Sequence, residues 1–405
     1  MGATEWRNWL GNQRFRPTDI LRPAEEREAA AALASAGRRG LPVRAFGGGH
    51  SFSPIVETSG VLIDTTGLSG LVSVDPARRR ARVRAGTTIR ALAIALDEAG
   101  MALANQGDID AQTVAGAMAT ATHGAGLRLP CLSAQALAFR LLTPQGEAVE
   151  IGQSEPERLM AARVSLGLLG IVTEIELAVV PAHDLRLVWW SCDLQSAMAR
   201  ADAWARRYRH VTLYWLPQAG SAALFGLPAP GEQGHDCLVR LLHPAEEPID
   251  PAGPVLLEAS RRSHRLFPAE YEPNFREIEY ALDLGASMSA LTEAVALFRR
   301  YPDQGFPIEI RYVRGDDAWL SPFQHAGNAT VSISADPRRE HGAFLDAAEA
   351  LLKRHGGRPH WGKIHRLDRA EAERLYPQLP SFRRVRRELD PQGRFLSPAL
   401  GEIFA

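Results

Sequence analysis

The stretch Arg44-Ala45-Phe46-Gly47-Gly48-Gly49-His50-Ser51-Phe52-Ser53-Pro54 follows a predicted strand, Val43 to Phe46, and everything else in the chain is best placed relative to it. Three consecutive glycines carry no Cβ to oppose φ > 0, so this backbone can turn its N–H groups inward and approach an anion such as a pyrophosphate. A glycine run alone is equally the mark of a plain tight turn. A histidine and a serine directly behind it go further, because an ordinary phosphate-binding turn needs only small residues there.

A second stretch, Asn105 to Gly126, gives the first its meaning. Between Thr113 and Gly124 nearly every side chain is Ala, Gly or Thr, with Gly116, Thr120, Thr122 and His123 among them. Such residues are too small to build a core alone and suit a backbone pressed against a large flat ligand. Threonine hydroxyls and helix-start N–H groups supply donors for phosphate or ring carbonyls. The two stretches read as two walls of one nucleotide site.

A chain of 405 residues is long enough for two domains with real cores. Its 46 Lys plus Arg balance 47 Asp plus Glu, so no bulk charge draws it to nucleic acid or to an anionic membrane. Cys131, Cys192 and Cys237 lie far apart in sequence with no C-x-x-C pair, which argues against a zinc site or disulfide framework and for small apolar fillers in a reducing cytoplasm. The N-terminus lacks the apolar run of a signal peptide, and no segment has the uncharged length of a membrane span. A soluble cytoplasmic protein is expected.

In order, the pattern predicts an extended arm through Arg22, a helix from Pro23 to Ala36 ended by Gly37 and Gly40, and strands at 43–46, 61–64 and 80–85. Thr87 or Thr88 caps a helix with Ile89, Leu92 and Leu96 on one face, stopped at Gly100. A hairpin turns at Pro144-Gln145-Gly146, and a strand runs from Ile171 to Val180. Beyond Pro181 the composition changes, with tryptophans at 189, 190, 204 and 215, and a domain boundary is placed there. A strand is expected from Cys237 to Leu242, a loop-rich variable surface from His243 to Pro273, and a helix from Ala286 to Tyr301. Strands at 306–313 and 329–335, a helix from Glu340 to Arg354 and a short helical tail complete the chain. The arginines at 206, 207 and 383–387 are expected on solvated helix faces.

On the strand from Phe306, Glu309 and Arg311 share a face while Ile308, Ile310 and Tyr312 take the other. Without context, such a pair is also an ordinary surface ion pair. The two stretches above, together with Glu309-Ile310-Arg311 and His360-Trp361-Gly362-Lys363, resemble the aldonolactone oxidase branch of the vanillyl-alcohol-oxidase flavoproteins, which includes gulonolactone, arabinonolactone and alditol oxidases. The resemblance runs from Trp9 nearly to the end and is weakest from Asp184 to Leu284.

That resemblance implies an α+β fold in two domains: an FAD-binding domain over residues 1–182, a substrate-binding cap over 183–365, and a segment over 366–405 packing back on the first. It implies FAD attached through an 8α-histidyl bond to His50, with Arg44, Phe46, Gly47, Gly48, Gly49, Ser51, Phe52, Asn105, Gly107, Asp108, Thr113, Gly116, Thr120, Thr122, His123, Gly124, Ile171, His360 and Lys363 around the cofactor. Glu309, Arg311 and Lys363 are the implied catalytic set, joined by Asp108 and Ser334 at the substrate. The implied reaction oxidises a hydroxyl of a sugar-derived lactone by hydride transfer to the flavin, with oxygen as acceptor. An open-chain polyol as substrate, or a flavin protein without turnover, stays open as an alternative. A residue as small as Gly107 marks the family's oxidases. Ser397 stands where asparagine is expected in the closing Phe-x-Asn. His360 and His365, with no carboxylate nearby in sequence, are poor metal ligands. The oligomeric state is unknown, with a monomer favoured.

Overall fold

The computed structural model describes residues 4–405. The first half builds two main sheets beside short two-stranded pairings. Asp19–Leu21, Val61–Asp64 and Val43–Phe46 form a parallel three-stranded sheet, and Ala148–Ile151, Ala136–Leu142, Ile171–Ala178, Arg80–Arg84 and Leu71–Asp75 lie in that order in an antiparallel one. The helix Ile89–Glu98 is capped by Thr88, whose hydroxyl accepts from the Ala91 N–H at 3.1 Å, and it buries Ile89, Leu92 and Leu96 as the spacing predicted.

The second half is dominated by an eight-stranded antiparallel sheet. Its order is Val255–Arg262, Asp184–Cys192, Cys237–Pro244, His210–Trp215, Ile308–Arg314, Gly327–Ala335, Arg276–Asp283 and Arg358–Pro359. Helices Leu194–Arg207, Ser287–Phe298 and Gly342–Arg354 cover one face, where Ile278, Tyr280, Ile308, Ile310, Tyr312, Val331 and Ile333 share a core with Trp204, Leu291 and Phe344. Because side chains alternate, the other face receives the polar residues of the same strands. The fold is α+β, with separate sheets in its two halves. The tail helices Arg369–Leu375, Leu379–Leu389 and Pro398–Phe404 return to the core of the first half, with Tyr376, Phe382 and Phe404 packed in the cluster that holds Leu92 and Met118.

Several expectations are corrected. The first helix is Glu26–Arg38 and runs through Gly37, where a Cβ would stand 2.4 Å from the Arg394 guanidinium, so the glycine marks a close approach rather than a stop. Residues 243–273 are not merely loop: Val255–Arg262 forms the sheet's outer strand. The strand Arg276–Asp283, between two expected elements, went unread although Glu277-Ile278-Glu279-Tyr280 alternates with period two. Arg386 is buried and donates to the Asp390 carbonyl at 3.1 Å instead of facing solvent. Cys192 and Cys237, distant in sequence, are direct cross-strand partners as free thiols. Ser397 caps the last helix, accepting from the Leu400 N–H at 3.2 Å, which gives the departure from asparagine a local role. Among the described residues no helix is long and apolar enough to cross a membrane.

Candidate active site

Two cavities meet at Gln112, which lines both. The first, about 940 Å³, is walled by Arg44 through Ser51, by Thr113, Gly116 and Thr120, and by Ser165–Gly167 and Val172. Gly47 is obligatory: a Cβ there would fall 1.9 Å from the Thr113 hydroxyl, so the glycine loop and the small-residue segment touch only because neither carries bulk. Gly49 adopts φ +64°, which lets the chain turn and present His50. His50 Nδ1 is buried with no hydrogen-bond partner, and burial, helped by the Lys363 charge, pushes the ring's pKa down to about 4. The imidazole is therefore neutral, with an uncommitted nitrogen.

Arg44 does structural work at the cavity's floor. Its guanidinium donates to the carbonyls of Leu166, Gly167 and Phe395, tying the glycine loop's strand to two distant segments. Burial lowers its pKa to about 10, opposed by Asp390. Ile171 does not reach this cavity; it sits in the core with Leu142 and Phe395, and the next residue along the strand, Val172, lines the cavity, as alternation requires. Phe52, Asn105 and Gly124 do not line it either. Asn105 instead donates to the Ala125 carbonyl at 3.1 Å and accepts from the Gln106 N–H at 3.1 Å.

The second cavity, about 610 Å³, is lined by Gly107, Asp108, Gln112, Thr122, His123, Tyr271, Phe275, Glu277, Glu279, Glu309, Arg311, His360 and Lys363. Six residues expected at the cofactor, Gly107, Asp108, Thr122, His123, His360 and Lys363, are therefore found here. Sheet register builds its far wall. Arg240, Thr212 and Arg311 are neighbours in one row across three strands, and Tyr214, Glu309, Ser332 and Glu279 in the next. Arg311 donates to both Glu309 oxygens at 2.7 and 2.8 Å and to Asp108 at 2.7 Å. Asp108 also receives Arg240 at 2.9 Å and the Tyr271 hydroxyl at 3.3 Å. Burial opposes its ionisation, but Arg311 and Arg240 outweigh that and hold the carboxyl below its ordinary value. For Glu309, burial outweighs Arg311 and the pKa is raised.

Lys363 arrives from a loop held rigidly at both sides. Trp361 is fully buried and its indole donates to the Leu320 carbonyl at 2.7 Å, while the carbonyls of Trp361 and Gly362 accept from the Ser53 hydroxyl and the Phe52 N–H at 2.5 and 2.7 Å. The lysine loop is thus bonded to the segment just behind His50. Its ammonium sits 5.0 Å from the Phe52 ring centre and is paired with Glu277 rather than with Glu309. Burial would lower its pKa, yet Glu277 and Glu279 raise it, so the lysine is a cation. Ser334 is buried outside the lining residues; Ser332, two residues earlier on the same face, donates to Glu277 at 2.7 Å. Sequence reasoning also missed Glu277, Glu279, Arg240 and Tyr271. The first two had a strand signal, whereas nothing local marks the others.

Wide, glycine-walled and apolar, with a free imidazole nitrogen at one side, the first cavity fits FAD, and the protein is an FAD-dependent flavoprotein oxidoreductase. The FAD-binding domain family matches residues 17–152, and the family described as D-arabinono-1,4-lactone oxidase matches residues 254–403. The chain is 34% identical to L-gulono-1,4-lactone dehydrogenase of Mycobacterium tuberculosis over 97% of each chain, and 30% identical to alditol oxidase of a Streptomyces species over 99% of each. A solvent-stable cholesterol oxidase shares the fold with a TM-score of 0.81 at 16% identity, covering 100% of this chain and 98% of the other. The chain belongs to the aldonolactone oxidase family of vanillyl-alcohol-oxidase-type flavoproteins.

Proposed function

We propose that this protein oxidises a hydroxyl of a sugar-derived 1,4-lactone of the L-gulono or D-arabinono type, with FAD attached to His50 and oxygen as acceptor. The observation that carries the proposal is the second cavity, which opens beside the first and gathers Glu309, Arg311 and Lys363 around one small polar space. FAD held in the first cavity would supply the acceptor for the hydride that leaves the carbon being oxidised. Glu309, fixed by the bidentate Arg311 contact, keeps lone pairs free to receive the substrate hydroxyl. As that hydroxyl passes its proton to the Glu309 carboxylate, charge grows on its oxygen. Arg311 and Lys363, held in place by carboxylates, stabilise it far better than solvent does.

His50 supports attachment because its ring is neutral and its buried Nδ1 is unclaimed. Gly107 supports oxygen as acceptor, since its position in the second cavity carries no side chain. An open-chain alditol is the second reading, favoured by the full-length likeness to a relative named alditol oxidase. A panel of aldonolactones and alditols with peroxide detection separates them. Lactone turnover with stoichiometric peroxide is expected; turnover of alditols alone establishes the second reading, and no peroxide from either class overturns both.

A further inference from the structure

His123, Glu279 and His360 are buried together in the wall of the second cavity, with one ligand-type atom from each lying within 4.8 Å of the others. Their chemistry resembles a metal site, but their lone pairs are committed elsewhere. His360 Nδ1 accepts the Gly362 N–H at 3.0 Å, which places its proton on Nε2 and leaves no ligand nitrogen. The Lys363 ammonium adds a charge that repels a second cation.

His123 is different. Its Nδ1 lies 2.9 Å from the Gly124 carbonyl and its Nε2 lies 2.9 Å from a Glu279 oxygen. A carbonyl only accepts, and so does an ionised carboxylate, so both ring nitrogens must donate. We propose that His123 stands in this cavity as a doubly protonated imidazolium paired with Glu279, a third fixed cation beside Arg311 and Lys363.

Charge balance points the same way. The lining carries four carboxylates, Asp108, Glu277, Glu279 and Glu309, against Arg311 and Lys363, with Arg240 joined to Asp108 from outside. A charged His123 makes four against four. Burial opposes ionisation of Glu279, yet the His123 ring outweighs it and holds the carboxyl well below its ordinary range. The groups facing the ring are Glu279 from the strand Arg276–Asp283, His360 from the lysine loop at 5.8 Å between ring centres, and the Phe323 ring at 4.9 Å; Glu277 and Lys363 lie beyond them. The pair also crosses from the small-residue segment to the cap sheet, so it fixes one domain against the other where substrate would lie.

The functional consequence rests on the second cavity being the substrate space, but the protonation state does not. Label the twelve histidines of the holoenzyme with ¹⁵N, identify His123 by the signal lost in His123→Gln, and titrate from about pH 6 to 9. Both nitrogens should stay protonated across that range in the native protein. In Glu279→Gln the ring should lose its second proton within that range. Above that point, flavin reduction by substrate should fall about tenfold per pH unit until it levels, an ionisation absent from the native profile. A singly protonated native His123 at pH 7 overturns the inference whatever the substrate proves to be. So does a Glu279→Gln protein whose reduction profile matches the native one. Inactivity toward every lactone and alditol would instead overturn the proposed function and leave the titration standing.

Discussion

Replacing Arg311 with methionine keeps the buried stem and removes the charge that joins Glu309 to Asp108. The two carboxylates are left unequal. Asp108 keeps Arg240 at 2.9 Å and the Tyr271 hydroxyl, whereas Glu309 loses its cation while staying buried. Stripping one partner from a buried ion pair costs about 3–5 kcal/mol when the other stays charged. Glu309 escapes part of that cost by taking a proton, because burial already raises its pKa with Arg311 present. A carboxyl whose folded pKa exceeds its unfolded value of about 4.3 favours the folded state while protonated and loses that advantage as pH rises through the folded value. The variant's stability deficit should therefore be small near about pH 5 and approach the full 3–5 kcal/mol by about pH 8. Catalysis should suffer separately, since removing one preorganised group costs about 10²–10³ in rate. Chemical denaturation of the holoenzyme at both pH values reads the first effect, and anaerobic stopped-flow reduction at saturating substrate reads the second. Native reduction kinetics in a variant fully loaded with flavin, or a deficit that does not grow with pH, would show that Arg311 is an ordinary ion-pair residue.

Three further outcomes are expected. In Gly107→Ala the new Cβ would press on the His123 carbonyl at 3.0 Å and Thr122 Cγ2 at 3.1 Å, and reoxidation of the reduced enzyme by oxygen should slow about tenfold, or about 1.4 kcal/mol in barrier; equal rates would remove the gate. Arg44→Met orphans the carbonyls of Leu166, Gly167 and Phe395 at about 1–3 kcal/mol each, so denaturation should register a loss of several kcal/mol, and one below about 1 kcal/mol would refute the clamp. After acid precipitation, native protein should keep its yellow colour in the pellet while His50→Ala releases it to the supernatant; colour released by the native protein refutes attachment at His50.

What the sequence determined by itself was local. Triple glycine before His50, the run of small residues from Thr113 to Gly124, and the Glu309/Arg311 alternation each depend on neighbours within a few positions, where covalent geometry and strand period leave little choice. They sufficed for the nucleotide cavity and one wall of the second cavity, and they carried the resemblance that implied the fold class. Alternation also had the power to find Glu277 and Glu279, in a stretch between the expected loop and the expected helix that was given no element. The tertiary structure decided the rest. Arg240 meets Asp108 across 132 residues, Lys363 meets Glu277 across 86, and His123 meets Glu279 across 156. The Trp361–Lys363 loop reaches the second cavity because its carbonyls bond to Phe52 and Ser53. Sheet register, not sequence spacing, sets these distances: a slip of one residue would turn Glu277, Glu279, Glu309 and Arg311 into the helix-covered core. Which carboxylate neutralises which cation is a property of the folded sheet, and no local pattern encodes it.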